Sequence, residues 1–475
     1  MKPLRKLAVA AASTVPAAAL LGLPALGGTP AAAQASPVKH VVVIYLENQT
    51  FDSLLGYWCH KHPQRCPDGG MPSSVTLSDG AVAKPSVMPD RIPQVIHSVA
   101  SQVTAMNIQG GVPQMNGWQN MPYGDCDAAA GYRCITGAKP AAEPNITGLA
   151  SHFAISDDFF SLADSPSWGG HLYTVTGSLD GFTGDIPRPR KGVKPGPGWG
   201  CDSGRVTPWI SPRGVRRQEP SCIPDPALAQ PNGGAFRATP VKNIPTILDS
   251  LDNAGLSWRI YAATQPATGS TSPGYVWSIC PSIAECLYTS QKSSLVSSAD
   301  FAGAASGGSL PAFSVVVPGG PDYPNSCHNV FSLTACDNWV GKLVSAVENG
   351  PEWDSTAVFI TWDDFGGFYD QVPPPATLNA NGQQAGPRVP LIMVSPYAKP
   401  GYTDTTPTTF AGILAYTEHN FGLPALGAND AHAYGLSNAF DYSQAPLKPA
   451  RMTTRPLPAW AVHMKLTKAM LDDPS

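Results

Sequence analysis

Val41-Val42-Val43-Ile44-Tyr45-Leu46 runs without a break into Glu47-Asn48-Gln49-Thr50-Phe51-Asp52. A strand with one wet face alternates polar and apolar residues. This run does not alternate, so it belongs in the interior of a parallel sheet covered on both faces. Residues 313–317 (FSVVV), 357–362 (AVFITW) and 389–394 (VPLIMV) have the same character and are expected beside it. Between them lie helical spacings. Ile244, Ile247, Leu248 and Leu251 recur at i, i+3, i+4 and i+7 and stop at Gly255, a C-cap signal; Trp339, Val340, Leu343, Val344 and Val347 repeat the pattern and stop at Asn349-Gly350. Strands interleaved with helices predict an α/β layered fold.

Two of these strands end in acidic groups. VVVIYL leads into Glu47-Asn48, and AVFITW leads into Asp363-Asp364-Phe365-Gly366-Gly367. In open α/β sheets ligands bind beyond the carboxyl ends of the strands, so both clusters fall on the functional edge. Carboxylate and amide oxygens gathered there suit a hard divalent cation, and the glycines allow close backbone approach. Each cluster by itself also fits an ordinary polar strand-to-loop transition.

A third element is Asp164-Ser165-Pro166-Ser167-Trp168-Gly169-Gly170-His171, between a strand-like FAISDDFF and LYTVTG. A serine opening a helix, flanked by glycines, is where a phosphoryl group can meet free N–H groups and the positive end of the helix dipole. The plainer alternative makes Ser167 an N-cap. The chain has no G-x-S-x-G elbow, no H-E-x-x-H and no Walker A loop.

Thirty Lys+Arg against 34 Asp+Glu argue against a nucleic-acid binder held by a basic patch, and 43% hydrophobic residues exclude a disordered chain. Lys2, Arg5 and Lys6, an Ala/Leu-rich stretch and Ala33-Gln34-Ala35 spell a signal peptide over residues 1–35, which predicts export. No later segment has the length and apolarity of a membrane span. Ten cysteines then fall into local couples: Cys59 with Cys66, Cys126 with Cys134, Cys201 with Cys222, Cys280 with Cys286, and Cys327 with Cys336. In an exported chain these read as five disulfides. Cys59-His60-Lys61-His62 is the one stretch with an alternative reading as a metal ligand set. Residues 36–475 are expected to form a single domain, with loop-rich insertions near 185–240 and 262–311.

Four segments together carry a resemblance: HVVVIYLENQTFDSLLG (40–56), DDFFSLADSPSWGGHLYTVTG (157–177), WDDFGGFYDQVPPP (362–375) and GPRVPLIMVSPYAKPGY (386–402). In this order they resemble the signatures of the bacterial phosphoesterase family that holds phosphatidylcholine-type phospholipases C and secreted acid phosphatases, within the alkaline-phosphatase-like superfamily. The resemblance covers about residues 38–425. It implies a three-layer α/β sandwich with a mostly parallel central sheet. It also implies a secreted, metal-dependent phosphoesterase, phospholipase C-like, acting through a phosphoserine on a phosphate ester or phospholipid. By position it implies a divalent metal ion at Glu47, Asn48, Ser167, Asp363 and Asp364, with Ser167 as nucleophile and His97 and His328 facing the phosphate.

Three departures lean toward the acid phosphatase branch, the alternative reading. Ser167 stands where phospholipase-like members tend to have Thr, Asp364 and Gln371 depart from D-E-x-G-G-F-x-D-H-V, and Phe410 lies near the place of a further family His. A remote alternative is an exported carbohydrate- or surface-binding protein, which has no need of Glu47-Asn48, Ser167 and Asp363-Asp364 together. No nucleic-acid or protein partner is expected.

Overall fold

The VVVIYL run forms β1 (His40–Leu46), buried from its second residue onward. In the computed structural model, which describes residues 36–228, 239–264, 272–319, 324–376, 378, 380 and 384–467, β1 lies inside an eight-stranded sheet. The other strands are β2 (Ala154–Ser156), β3 (Trp258–Tyr261), β4 (Leu295–Val296), β5 (Phe313–Val316), β6 (Thr356–Trp362), β7 (Leu391–Val394) and β8 (Thr403–Asp404), in the order β4-β3-β5-β1-β6-β7-β2-β8. Every neighbouring pair is parallel except those made by β7, which is antiparallel to both β6 and β2. The VPLIMV run was expected to be parallel. Continuous apolarity reports burial on both faces, which β7 has; strand direction is set by the chain path between strands, to which composition is blind.

FAISDDFF does not make one strand. It divides at Asp157-Asp158 into β2 and Phe159–Leu162, and the second part pairs with Ala385–Arg388 and Thr408–Thr409 in a small separate sheet. The insertion near 185–240 contains a hairpin, Arg205–Ile210 against Arg216–Pro220, stapled by Cys201–Cys222. The stretch near 262–311 contributes β4 to the edge of the central sheet.

Five helices position the site: α1 (Phe51–Cys59), α2 (Ser167–Thr176), α3 (Ile247–Asn253), α4 (Leu333–Glu348) and α5 (Ala411–Phe421). The hydroxyls of Thr50, Thr246 and Ser332 cap α1, α3 and α4 by accepting from the N–H three residues on. Gly255, just past α3, has φ +68°, the left-handed conformation a helix stop requires. Helix α2 packs with both α3 and α5, while α4 packs with Pro144–His152 and Phe301–Gly307. β1 past its first residue and β6 along its whole length are buried, so neither has a wet face.

All five cysteine couples are disulfide-bonded as their spacing predicted: Cys59 to Cys66, Cys126 to Cys134, Cys201 to Cys222, Cys280 to Cys286 and Cys327 to Cys336. The bond between Cys126 and Cys134 closes a loop whose Cys134 carbonyl accepts from the Tyr369 N–H at 3.0 Å, which holds that loop against the segment following Asp363-Asp364. The bond between Cys280 and Cys286 braces the short turn just past Trp277, and both of its cysteines are fully buried. Cys327–Cys336 fastens the loop bearing His328 to the first turns of α4. Cys59 is bonded to Cys66 and His60 Nε2 lies 2.6 Å from the Met71 carbonyl oxygen, which disposes of the metal reading for Cys59-His60-Lys61-His62. Among the described residues no helix is long and apolar enough to cross a membrane. Residues 1–35, read as an export signal, lie outside the described residues.

Candidate active site

Register builds the site. β1 and β6 run side by side with Leu46 opposite Trp362, so the next residues of each strand, Glu47-Asn48 and Asp363-Asp364, emerge together at the carboxyl edge. The pairing continues one step, with the Asp363 N–H donating to the Leu46 carbonyl at 3.0 Å. Asp363 Oδ1 then accepts from the backbone N–H of Asn48 (2.9 Å) and of Asp364 (2.8 Å). Asn48 turns the chain with φ +58°. Gly366 follows, its N–H donating to Asp364 Oδ1 at 2.7 Å; a Cβ there would sit 2.1 Å from the Asn48 carbonyl oxygen, so only glycine fits.

Helix α2 brings Ser167 to the same place. Its N-cap is Pro166, so Ser167 is the first helical residue and caps nothing; its hydroxyl donates to Asp364 Oδ2 at 3.2 Å. The Tyr45 hydroxyl donates to the Gly170 carbonyl at 2.9 Å and ties the helix to β1. A Cβ on Gly170 would lie 3.1 Å from the Asp363 carbonyl oxygen, which is why the helix can come so close.

One turn beyond Ser167, on the same face, lies His171, to which the sequence reading gave no role. Its Nε2 is 2.8 Å from Glu47 Oε1 and 3.5 Å from Asp363 Oδ2. The i, i+4 spacing from Ser167 was the available signal. Trp277 stacks flat on His171, with centroids 4.8 Å apart and 5° between planes. It comes from the 262–311 stretch and is buried, so that stretch also forms a wall of the site.

His97 and His328 lie on the far side of Asn48. One end of the Asn48 amide is 3.2 Å from both Asp364 oxygens and from Asp363 Oδ1; the other is 3.1 Å from His97 Nε2 and 2.7 Å from His328 Nε2. The Nδ1 atoms sit 3.1 Å from the Val95 carbonyl oxygen and 3.0 Å from that of Asn329. A carbonyl only accepts, so both Nδ1 atoms carry the proton. Burial, and then the neighbouring His97, push His328 down to about 3. It is neutral, and its bare Nε2 needs a donor.

The Asn48 NH₂ is that donor, which turns its oxygen toward the carboxylates. The opposite orientation would satisfy the carboxylates and leave the amide oxygen against imidazole lone pairs. An oxygen among carboxylate oxygens is favourable only with a cation between them. Other features agree. Burial, then Asp363, raise Glu47 and Asp364 well above the usual carboxylate range. For Asp363, burial opposes ionisation, but the nearby His171, the Asn48 N–H and Glu47 together outweigh it, and its pKa is lowered. Burial lowers the His171 pKa, which leaves less positive charge among three buried carboxylates. Glu47 Oε2 and Asp363 Oδ2 accept no hydrogen bond. Glu47, His171 and Asp363 each offer a ligand atom within 4.8 Å of the others. Carboxylate, amide and imidazole donors in this arrangement fit a divalent metal ion. The structure thus gathers Glu47, Asn48, Ser167, Asp363, Asp364, His97 and His328, and adds His171.

Two departures have structural accounts. Phe410 packs edge-on against Tyr45 (5.4 Å) and Phe159 (5.5 Å), an apolar contact behind the site. Gln371 donates to the Gly70 carbonyl at 2.7 Å, and its backbone N–H donates to Asp52 at 3.1 Å.

Known proteins can be set beside this geometry. The chain is 24% identical over 396 residues to non-specific phospholipase C1 of Arabidopsis thaliana, covering 77% of this chain and 62% of that protein. It is 24% identical over 272 residues to phospholipase C B of Mycobacterium tuberculosis (51% of this chain, 50% of that one) and 28% identical over 131 residues to the non-hemolytic phospholipase C of Burkholderia pseudomallei (22% and 18%). The chain thus spans under two thirds of the length of the relatives it matches. Among solved structures, a protein in the alkaline phosphatase superfamily from Vibrio parahaemolyticus aligns at 13% identity over 61% of this chain and 63% of its own, with a TM-score of 0.32. The Phosphoesterase family matches residues 38–424, a span that holds all the residues gathered at the two strand ends, and the chain belongs to that family.

Proposed function

We propose that this chain is an exported, metal-assisted phosphoric ester hydrolase of the phospholipase C type, in which Ser167 is the nucleophile and is transiently phosphorylated. The observation that carries the reading is the Ser167 hydroxyl at the positive end of α2, held 3.2 Å from Asp364 beside Glu47, Asn48 and Asp363. The phospholipase C names of the relatives support the substrate class.

Phosphate esters resist attack because their charge repels nucleophiles, so catalysis needs neutralisation and alignment. A divalent metal ion bound by Glu47, Asn48, Asp363 and Asp364 would supply positive charge to the phosphoryl oxygens and to the Ser167 oxygen. Asp364 Oδ2 holds the hydroxyl proton and aims the Oγ lone pair. Ser167 Oγ bonds to phosphorus as its proton passes to Asp364 and the bond from phosphorus to the leaving oxygen breaks, and that oxygen leaves as the alcohol by taking the proton from Asp364. Water then bonds to phosphorus from the opposite side, the Ser167–phosphorus bond breaks and the serine regains its proton. His171 keeps Glu47 and Asp363 in place. His97 and His328 fix the Asn48 amide, and Trp277 excludes water behind His171. Two in-line displacements retain configuration at phosphorus.

The test offers phosphatidylcholine, a simple diester and a simple monoester to wild type and Ser167→Ala, with and without a chelator. Diester or lipid hydrolysis lost in the variant and in chelator is the expected result. Preference for the monoester would make the chain a phosphatase of the same family. An alanine variant within about tenfold of wild type would remove Ser167 from the chemistry.

A further inference from the structure

A second set of carboxylates gathers apart from the group of Glu47, His171 and Asp363. Asp157 and Asp158 occupy the break between β2 and Phe159–Leu162, and Asp68 lies in the loop just past the Cys59–Cys66 disulfide. One oxygen from each lies within 4.8 Å of the other two. Asp157 carries the argument. Its side chain is 0% exposed, and neither Oδ1 nor Oδ2 has a hydrogen-bond partner. A buried carboxylate lacking any donor is costly unless a positive charge meets it.

The arginines whose charge reaches Asp157 turn their N–H groups elsewhere. Arg388 Nη1 donates to the Asp157 backbone carbonyl at 2.8 Å, and its Nε and Nη2 face Asp370 and Asp52. Arg65 donates to Thr403 Oγ1 and to the Phe153 and Tyr402 carbonyls. Asp158 is half-buried and Asp68 exposed, so the cluster opens to solvent on one side.

We propose that Asp68, Asp157 and Asp158 form a second cation site, for a hard divalent ion of the calcium type, separate from the Ser167 site. The donors are oxygen only, with neither imidazole nor thiolate among them. The open side leaves room for water ligands, which calcium's large and flexible coordination accepts. Occupancy would clamp the disulfide loop to the segment joining the central and small sheets.

The test titrates the full chain with calcium chloride while following Tm, in parallel with Asp68→Ala and Asp157→Asn, and counts bound calcium after equilibrium dialysis. Because all three chains keep the Ser167 site, a cation bound there cancels in the comparison. Wild type should gain Tm with a midpoint of about 0.1 to 1 mM, the range of extracellular calcium modules. Both variants should need at least about tenfold more calcium and bind one ion fewer, and Asp68→Ala should keep its ester hydrolysis. Equal calcium responses and equal counts in wild type and Asp68→Ala would overturn the site. Magnesium acting as potently as calcium would overturn its assignment to the calcium type.

Discussion

Ser167 and His171 share one face of α2, and the proposed function gives them different work. Ser167 is not an N-cap, so replacing its hydroxyl removes no helix-ending hydrogen bond. Ser167→Ala is expected to cost orders of magnitude in kcat on every substrate hydrolysed and to leave Tm within about 2 °C of wild type, because a ΔΔG well under 1 kcal/mol moves Tm little. Steady-state kinetics and a melting curve on the same preparation check both halves. His171 touches two carboxylates of the cluster, and groups that orient metal ligands typically contribute 10- to 100-fold in affinity. His171→Ala should therefore retain the metal about 10- to 100-fold less tightly, read by elemental analysis after graded dialysis. Undiminished retention would leave His171 a packing residue beneath Trp277.

At the scale of elements, the loop after β6 depends on Gly366, whose φ is +61° and whose missing Cβ makes room for the Asn48 carbonyl. Gly366→Ala is expected to lose about 2 to 5 kcal/mol from the left-handed strain and the backbone clash together, and to lose activity with it. Urea unfolding measures the first loss. Gly148, inside the Pro144–His152 helix with open space where a Cβ would go, is the matched control: Gly148→Ala should gain about 0.5 to 1 kcal/mol. The Cys201–Cys222 bond closes the loop around the Arg205–Ile210 hairpin, with a sequence separation of 21. Removing that crosslink should cost roughly 3 kcal/mol by the loop-closure relation. Peptide mapping without reductant should recover the five local pairs.

Across the whole molecule, buried carboxylates outside the site set the pH dependence of stability. Burial raises Glu348 from 4.5 to about 7, where its Oε1 accepts from the Ala450 N–H at 2.8 Å and its Oε2 has no partner. Burial, then Asp430, raise Glu418 from 4.5 to about 8. A carboxyl whose folded pKa exceeds its unfolded value binds more protons in the folded chain. Its contribution is full below the unfolded value and fades as pH rises through the folded one. Tm should accordingly fall between pH 5 and 8.5 under metal-free conditions, with Glu418→Gln flattening the upper part of that slope. A Tm that climbs steadily over this window would contradict the assignment.

Local chemistry made much of this protein legible in its residues. Strand interiors of Val and Ile cannot tolerate water, the spacing of Ile247, Leu248 and Leu251 before Gly255 is helical although Ile244 lies ahead of the Thr246 cap, and cysteines close in sequence have short loops to close. Glu47-Asn48 and Asp363-Asp364 could be read as candidates because each directly follows such a strand. What the chain order alone did not contain was adjacency. That β1 and β6 lie side by side in register, and so bring those two pairs into one cluster, is decided by the sheet. The antiparallel direction of β7 is decided by the path of the chain, since both directions bury the same side chains. His171 against Glu47, Trp277 over His171 and the Asn48 amide between histidines and carboxylates all join segments tens to hundreds of residues apart. Such contacts exist only once packing has excluded water from the site and forced each buried donor to find its acceptor.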